Sequence, residues 1–239
     1  GYQNLIKLSS LGFIEGMYSK YPRIDKELIE RYHEGLIATT CCIGAHVPQA
    51  ILRSGKQTAE EEFRWWLDLF GEDYYIELQR HNIKEQELIN QTLLEFAAKY
   101  NVRVIATNDS HYTDREDYNA HDILLCINTG EKKSTPGYDD FVNDDVHFKD
   151  RRFKFPNDQF YFKTREEMDR VFGEIPFVLD QSVEIAERCN FKLPRVNNPF
   201  PEFIVPPGYT IDTYFAKVVR DGYQDRLHHL KMLADRGAL

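Results

Sequence analysis

Apolar residues recur along this chain with two periods, and the switches between them mark out its elements. Over 5–16 they fall on one side of a helix. Gly35-Leu36-Ile37-Ala38-Thr39-Thr40 is apolar and ends in β-branched residues, as a short buried strand does. A short helix is expected over 47–53, with Gly55 marking its end. Thr58-Ala59-Glu60-Glu61 has the spacing of a capping box, in which the Thr58 hydroxyl accepts from the Glu61 N–H. Phe63, Trp66, Leu67 and Phe70 then share one helical face. A strand over 74–78 is followed by an amphipathic helix over 86–100, with Leu88, Ile89, Leu93, Phe96 and Ala97 at helical spacing. A strand over 102–107 and a helix over 116–127 complete the series. Strands and helices that alternate across short linkers predict βαβ units, hence a parallel sheet or barrel. In such folds the active site lies at the C-terminal ends of the strands, which is where polar residues cluster here.

From 130 to 157 the pattern stops. Pro136-Gly137, the acidic Asp139, Asp140, Asp144 and Asp145, and the basic run 149–154 predict a long surface excursion. Order resumes at Phe160-Tyr161-Phe162. Thr164-Arg165-Glu166-Glu167 is a second capping-box pattern, opening a helix to about 172. Pro176 suits the first turn of the next helix, to about 189. Pro194, Pro199, Pro201, Pro206, Pro207 and Gly208 form an extended connector and the expected domain boundary, dividing 1–200 from 201–239. A last helix, over about 212–230, has no partner in the sequence. It is expected to belong to structure that continues past Leu239.

Composition narrows the class. With 42% hydrophobic and 29% charged residues the chain reads as globular. Its apolar runs, such as 36–38, are far too short to cross a bilayer, so no membrane partner is expected. The start at Gly1 shows no signal-peptide pattern and no initiator Met, which suggests an internal segment of a cytoplasmic protein. Cys41, Cys42, Cys126 and Cys189 form no CxxC pair, and are expected as free, mostly buried thiols. A net charge of −9 argues against a broad nucleic-acid surface, which needs clustered Lys and Arg.

The densest chemistry comes after the third strand, in Ala106-Thr107-Asn108-Asp109-Ser110-His111. If the strand runs on, Asp109 and His111 point the same way. They can then present a carboxylate oxygen and an imidazole nitrogen to one metal ion. Asn108-Asp109-Ser110 is equally ordinary turn chemistry, with Asp109 only capping the next segment. Glu77 lies near the end of the preceding strand between Ile76 and Leu78, where a carboxylate is costly unless paired or metal-bound. On neighbouring parallel strands all three would share one rim. Alone, Glu77 reads as an outward position of a half-exposed strand. His46, His81 and His121 are weaker candidates: loop histidines are more often surface residues, and His121 falls in a helix where it packs or caps. His228-His229 reads as solvated surface. No P-loop, dinucleotide fingerprint, HExxH or nucleophile elbow is present.

These segments also carry a family resemblance. Gly1-Tyr2-Gln3-Asn4-Leu5, Gly35 to Cys41, Tyr75-Ile76-Glu77-Leu78 and Ala106-Thr107-Asn108-Asp109-Ser110-His111-Tyr112 resemble successive blocks of the polymerase-and-histidinol-phosphatase (PHP) domain of bacterial DNA polymerase III alpha subunits. Glu184 to Asn190 resembles the block that closes that domain, and 203–227 the lead into the palm. The resemblance implies an α/β fold, part of a distorted (β/α)7 PHP barrel lacking its N-terminal strands over 1–200. A mainly helical start of the palm is implied over 201–239. The resemblance also implies that Glu77, Asp109 and His111 are metal ligands, for zinc, manganese or iron, with magnesium serving the parent polymerase. Partners would be DNA, other replicase subunits and a proofreading exonuclease. The family's His-x-His motif would lie before Gly1 and its catalytic carboxylates after Leu239, so the chain alone is expected to be inactive. His46 stands where the family has an acidic residue. Three readings stay open: a 3′–5′ exonuclease domain of a replicative polymerase, a structural docking domain, and a free-standing PHP phosphoesterase.

Overall fold

The computed structural model describes residues 1–138, 151–195 and 200–238. They divide into two units, Gly1–Phe191 and Lys192–Leu239. The first unit opens with α1 (Tyr2–Ile14), a two-stranded hairpin of β1 (Met17–Tyr18) and β2 (Tyr21–Pro22), and α2 (Lys26–Tyr32). Gly16 is needed at the hairpin: a Cβ there would come within 1.8 Å of the Arg23 carbonyl oxygen. Next along the chain are β3 (Ala38–Thr39), α3 (His46–Arg53), α4 (Lys56–Phe70), β4 (Tyr74–Leu78), α5 (Lys84–Tyr100), β5 (Val104–Ala106) and α6 (Tyr118–Thr129). Then come β6 (Gly137–Tyr138), β7 (Arg152–Phe153), α7 (Arg165–Val171) and α8 (Phe177–Arg188).

β3, β4 and β5 form one parallel sheet in that order. The α/β class and the parallel pairing are therefore as the periodicity predicts. No closed sheet forms among the described residues; the three strands make an open one. Tyr74, Ile76 and Leu78 point to one face of β4 and pack with Val104 and Ala106 against Phe63 of α4, Leu93 and Phe96 of α5, and Phe172 and Val178. This is the main core, and each large side chain fully buried in it stabilises the fold by about 1.5–3 kcal/mol.

The outer edge of β5 is covered by side chains of α8. Gln181 Oε1 accepts from the Val104 N–H at 2.7 Å, and Ser182 Oγ donates to the Ala106 carbonyl at 3.0 Å. Gln181→Ala is expected to leave that N–H without its partner and to destabilise the unit by about 1–3 kcal/mol. Chemical denaturation checks this; an unchanged midpoint would mean that water replaces the amide.

Several expectations need correction. The strand over 35–40 shrinks to two residues, because Leu36 N–H turns back to the His33 carbonyl. Thr58 is not a cap: α4 begins two residues earlier behind Gly55, whose φ of +86° separates α3 from α4. The Thr164 capping box is present with both of its hydrogen bonds. α2 and the hairpin carry no strong periodicity, although Asp25 caps α2 by accepting from the Leu28 N–H at 2.9 Å. The excursion is not all surface. β6 and β7 pair in parallel, and Arg152 is buried against Asp122 of α6. Asp139, Asp140, Asp144 and Asp145 lie outside the described residues.

In the second unit α9 (Ile211–Asp235) starts at a box formed by Thr210 and Thr213, each bonding the other's backbone N–H. His228 and His229 are exposed on it.

Candidate functional site at the strand ends

The two-residue period of β4 decides where Glu77 goes. With Tyr74, Ile76 and Leu78 in the core, Tyr75 and Glu77 face the other side of the sheet. There the carboxylate meets hydroxyls from both neighbours. Thr39 Oγ donates to Oε2 at 2.6 Å, Gln79 Nε2 to Oε1 at 3.1 Å, and Thr107 Oγ also to Oε1. The half-buried Glu77 is therefore satisfied by uncharged donors, which offset the cost of removing it from water.

Asp109 and His111 come together by a route other than strand alternation. β5 ends at Ala106, and Asp109 has φ +47°, in the left-handed region that Asp tolerates better than most residues. The loop is pinned from the far side: His111 N–H donates to the Phe160 carbonyl at 2.8 Å, and Ser110 Oγ to the Tyr161 carbonyl at 3.3 Å. The backbone there is irregular loop, neither continued strand nor hydrogen-bonded turn. The two side chains nonetheless meet, with His111 Nε2 3.4 Å from Asp109 Oδ1, and both remain more than a third exposed. The His111 imidazole holds the Asp109 carboxyl below the usual carboxylate range.

The other histidines separate clearly. His81 is not a surface residue; it is fully buried and stacks on Phe160 with centroids 4.0 Å apart. Gln86 Nε2 donates to its Nδ1 at 2.8 Å, so its Nε2 carries the proton and donates to the Asn108 carbonyl at 2.6 Å. Burial lowers its pKa and keeps the ring neutral. His46 is the first residue of α3, with Nδ1 3.3 Å from Glu62 Oε2. His121 packs between Tyr112 and Phe155, each with its ring 5.1 Å away. Sequence reasoning gave His81 too little weight. The signal was available: it comes three residues after a buried strand and precedes Gln86, which accepts from its N–H at 2.8 Å.

The cysteines also differ from expectation. Only Cys126 is buried, while Cys41 and Cys189 are exposed and Cys42 is half-buried. Cys41 has φ +60° where the chain leaves β3. A hydrogen bond from the Cys42 thiol brings the Cys41 pKa down to about 7 and pushes that of Cys42 up.

Cys42, Asp109, His111 and His121 line one cavity of about 330 Å³ beside the strand ends. The donor set for a metal ion is incomplete among the described residues. No three His, Cys, Asp or Glu side chains there stand close enough to hold one ion. Asp109 and His111 make a pair, and both Glu77 oxygens are taken by Thr39, Thr107 and Gln79.

Residues 1–81 match the model of the PHP domain. A DNA polymerase III subunit alpha from Borreliella burgdorferi is 39% identical over 232 residues, which are 96% of this chain and 19% of that protein. The corresponding subunit of Thermus aquaticus is 38% identical over 239 residues, 95% of this chain and 18% of that protein. That of Treponema pallidum is 37% identical over 228 residues. This chain is similar to polymerase III alpha subunits. The similarity runs through nearly the whole chain. The chain spans about a fifth of the length of these curated relatives. No helix among the described residues is long and apolar enough to cross a membrane.

Proposed function

We propose that this chain works as part of the alpha subunit of a replicative DNA-directed DNA polymerase, a cytoplasmic nucleotidyltransferase. Residues 1–200 would be PHP domain, and 201–239 the connector and the start of the palm. The observation that carries the reading is similarity over 95–96% of the chain to subunits of that name. The parent would extend primed DNA with magnesium, at carboxylates outside this chain, and would bind other replicase subunits. The open three-stranded sheet would be one arc of a (β/α)7 barrel completed by strands before Gly1. The two-residue β3, with no strand paired to its outer edge among the described residues, supports that reading.

Within this frame Asp109 and His111 are the residues that would hold a divalent ion, whether zinc, manganese or iron. Their support is mutual contact, exposure to one cavity and position beyond the end of a parallel strand. Glu77 would join them only by giving up a hydroxyl donor. Two donors fall short of the three or four that a bound ion takes from protein, so the remaining ligands would come from the His-x-His segment that the resemblance puts before Gly1. An ion held there would supply a metal-activated water for phosphodiester hydrolysis, the chemistry of 3′–5′ proofreading. A second reading is that the domain stabilises the polymerase and docks a separate proofreading exonuclease.

Elemental analysis of the parent protein separates the two. Stoichiometric zinc, manganese or iron is expected, and its loss in the Asp109→Ala, His111→Ala double variant together with 3′–5′ hydrolysis. Absence of metal from both proteins would leave the docking role.

A further inference from the structure

Two thiols stand side by side where the chain leaves β3. Cys41 is exposed, and Cys42 is half-buried and lines the cavity beside Asp109 and His111. The backbone is held on both sides of the pair. Cys41 N–H donates to Thr39 Oγ at 3.2 Å, and the Cys42 carbonyl accepts from the Ala45 N–H at 2.9 Å, just before α3. This fixed loop aims two donors at the Cys41 sulfur, the Cys42 thiol and the Cys42 N–H. The Gly44 N–H in turn points at the Cys42 sulfur. The two sulfurs are therefore in hydrogen-bond contact, with one of them open to solvent. Redox-sensitive cysteines have this arrangement: an accessible thiol beside a second one that can resolve its oxidised form.

We propose that Cys41 and Cys42 are an oxidation site, where a small peroxide converts the two thiols into a reversible disulfide. Cys41 is the attacking group. The Cys42 hydrogen bond favours its thiolate near neutral pH, against burial and the charges of Glu77 and Asp109. That thiolate attacks one peroxide oxygen and displaces hydroxide. The O–O bond breaks, Cys41 becomes a sulfenic acid, and the proton it shed completes a first water. The Cys42 sulfur then attacks the Cys41 sulfur. An S–S bond replaces the S–O bond, and the departing hydroxide takes the Cys42 proton as a second water. The thiols lose two electrons and the peroxide gains them. Cys42 holds its proton mainly through the hydrogen bond to Cys41, so consumption of the Cys41 thiolate frees it to react. The peptide between them is trans, which sets the Cα atoms about 3.8 Å apart, closer than most disulfides allow. The bond is thus strained and easily reduced, suited to a reversible change rather than to a structural link.

The test uses the full 239-residue chain, reduced and then given an equimolar amount of hydrogen peroxide near neutral pH, with EDTA to exclude metal-catalysed oxidation. Mass spectrometry should find the tryptic peptide 32–53 lighter by two hydrogen atoms in a monomeric chain, and dithiothreitol should restore it. Cys42→Ala removes the thiol donor. Cys41 should then stop at the sulfenic acid, which dimedone captures, and should react roughly threefold more slowly. Cys41→Ser should leave the peptide unoxidised under the same exposure. Far-UV circular dichroism checks the fold of both variants. The proposal fails if the wild-type peptide keeps both thiols free to alkylate, if Cys41 instead links two chains, or if Cys42→Ala leaves Cys41 as reactive as before.

Discussion

Replacing Arg152 by alanine is expected to destabilise the first unit by about 3–5 kcal/mol, the cost of breaking a buried ion pair by removing one partner. The guanidinium grips Asp122 with both arms, Nη1 to Oδ1 at 2.6 Å and Nη2 to Oδ2 at 2.9 Å, and its Nε donates to the Thr135 carbonyl at 3.2 Å. The two side chains are 3% and 6% exposed, so water cannot take the place of either partner. Arg152 also belongs to β7, so the pair ties the β6–β7 ribbon to α6. The Arg152 guanidinium holds the Asp122 carboxyl below its ordinary value near 3.8. A depressed acid stabilises the fold above its unfolded pKa and loses that contribution as pH falls through the folded one. The pair therefore weakens only in strong acid. Urea unfolding of the wild type, Arg152→Ala and the double variant Arg152→Met, Asp122→Leu measures the effect. Much of the loss should return in the double variant, because no lone charge stays buried. A single-variant loss under about 1 kcal/mol would show that the site opens to solvent.

The second large effect is a loss of stability on mild acidification, of at most about 2 kcal/mol between pH 7.5 and 5, with His81 as its source. Burial lowers the His81 pKa below its ordinary value near 6.5. Below that value the unfolded chain binds a proton that the folded chain refuses, so stability falls as pH drops from about 6.5. The slope cannot exceed about 1.4 kcal/mol per pH unit for one proton. Protonation would also set a second N–H against the Gln86 amide that now donates to Nδ1, until that amide turned round. His121 titrates in the same direction for the same reason, so the variant matters. Unfolding curves at several pH values should show the dependence in the wild type and a clearly smaller one in His81→Gln. Equal slopes in the two proteins would move the effect to His121 or elsewhere.

Much of this protein was legible in its sequence, and the places where reading failed share a cause. The strand 74–78 and the helix 86–100 have periods too regular to mistake, since each must bury one face. The Thr164 box was legible because capping is local: donor and acceptor are three residues apart. The Thr58 pattern was equally local and still wrong, because Gly55 had already released the chain into a helix. Arg152 looked like surface within a basic run, and its burial depends on Asp122, 30 residues away.

The candidate site divides in the same way. By itself the sequence determined the alternating α/β order, the family likeness, and the placing of Glu77, Asp109 and His111 just at or beyond apolar strands. Those depend on hydrophobic period and residue order, which a linear chain displays. Only the tertiary structure decided that Asp109 meets His111 through a left-handed backbone at Asp109 and that Glu77 is held by Thr39 and Thr107. It alone decided that His81 is a buried neutral ring, and that a wall of phenylalanines from 153–160 faces the strand ends. Each of these depends on contacts between segments far apart in the chain, whose partners no local pattern names.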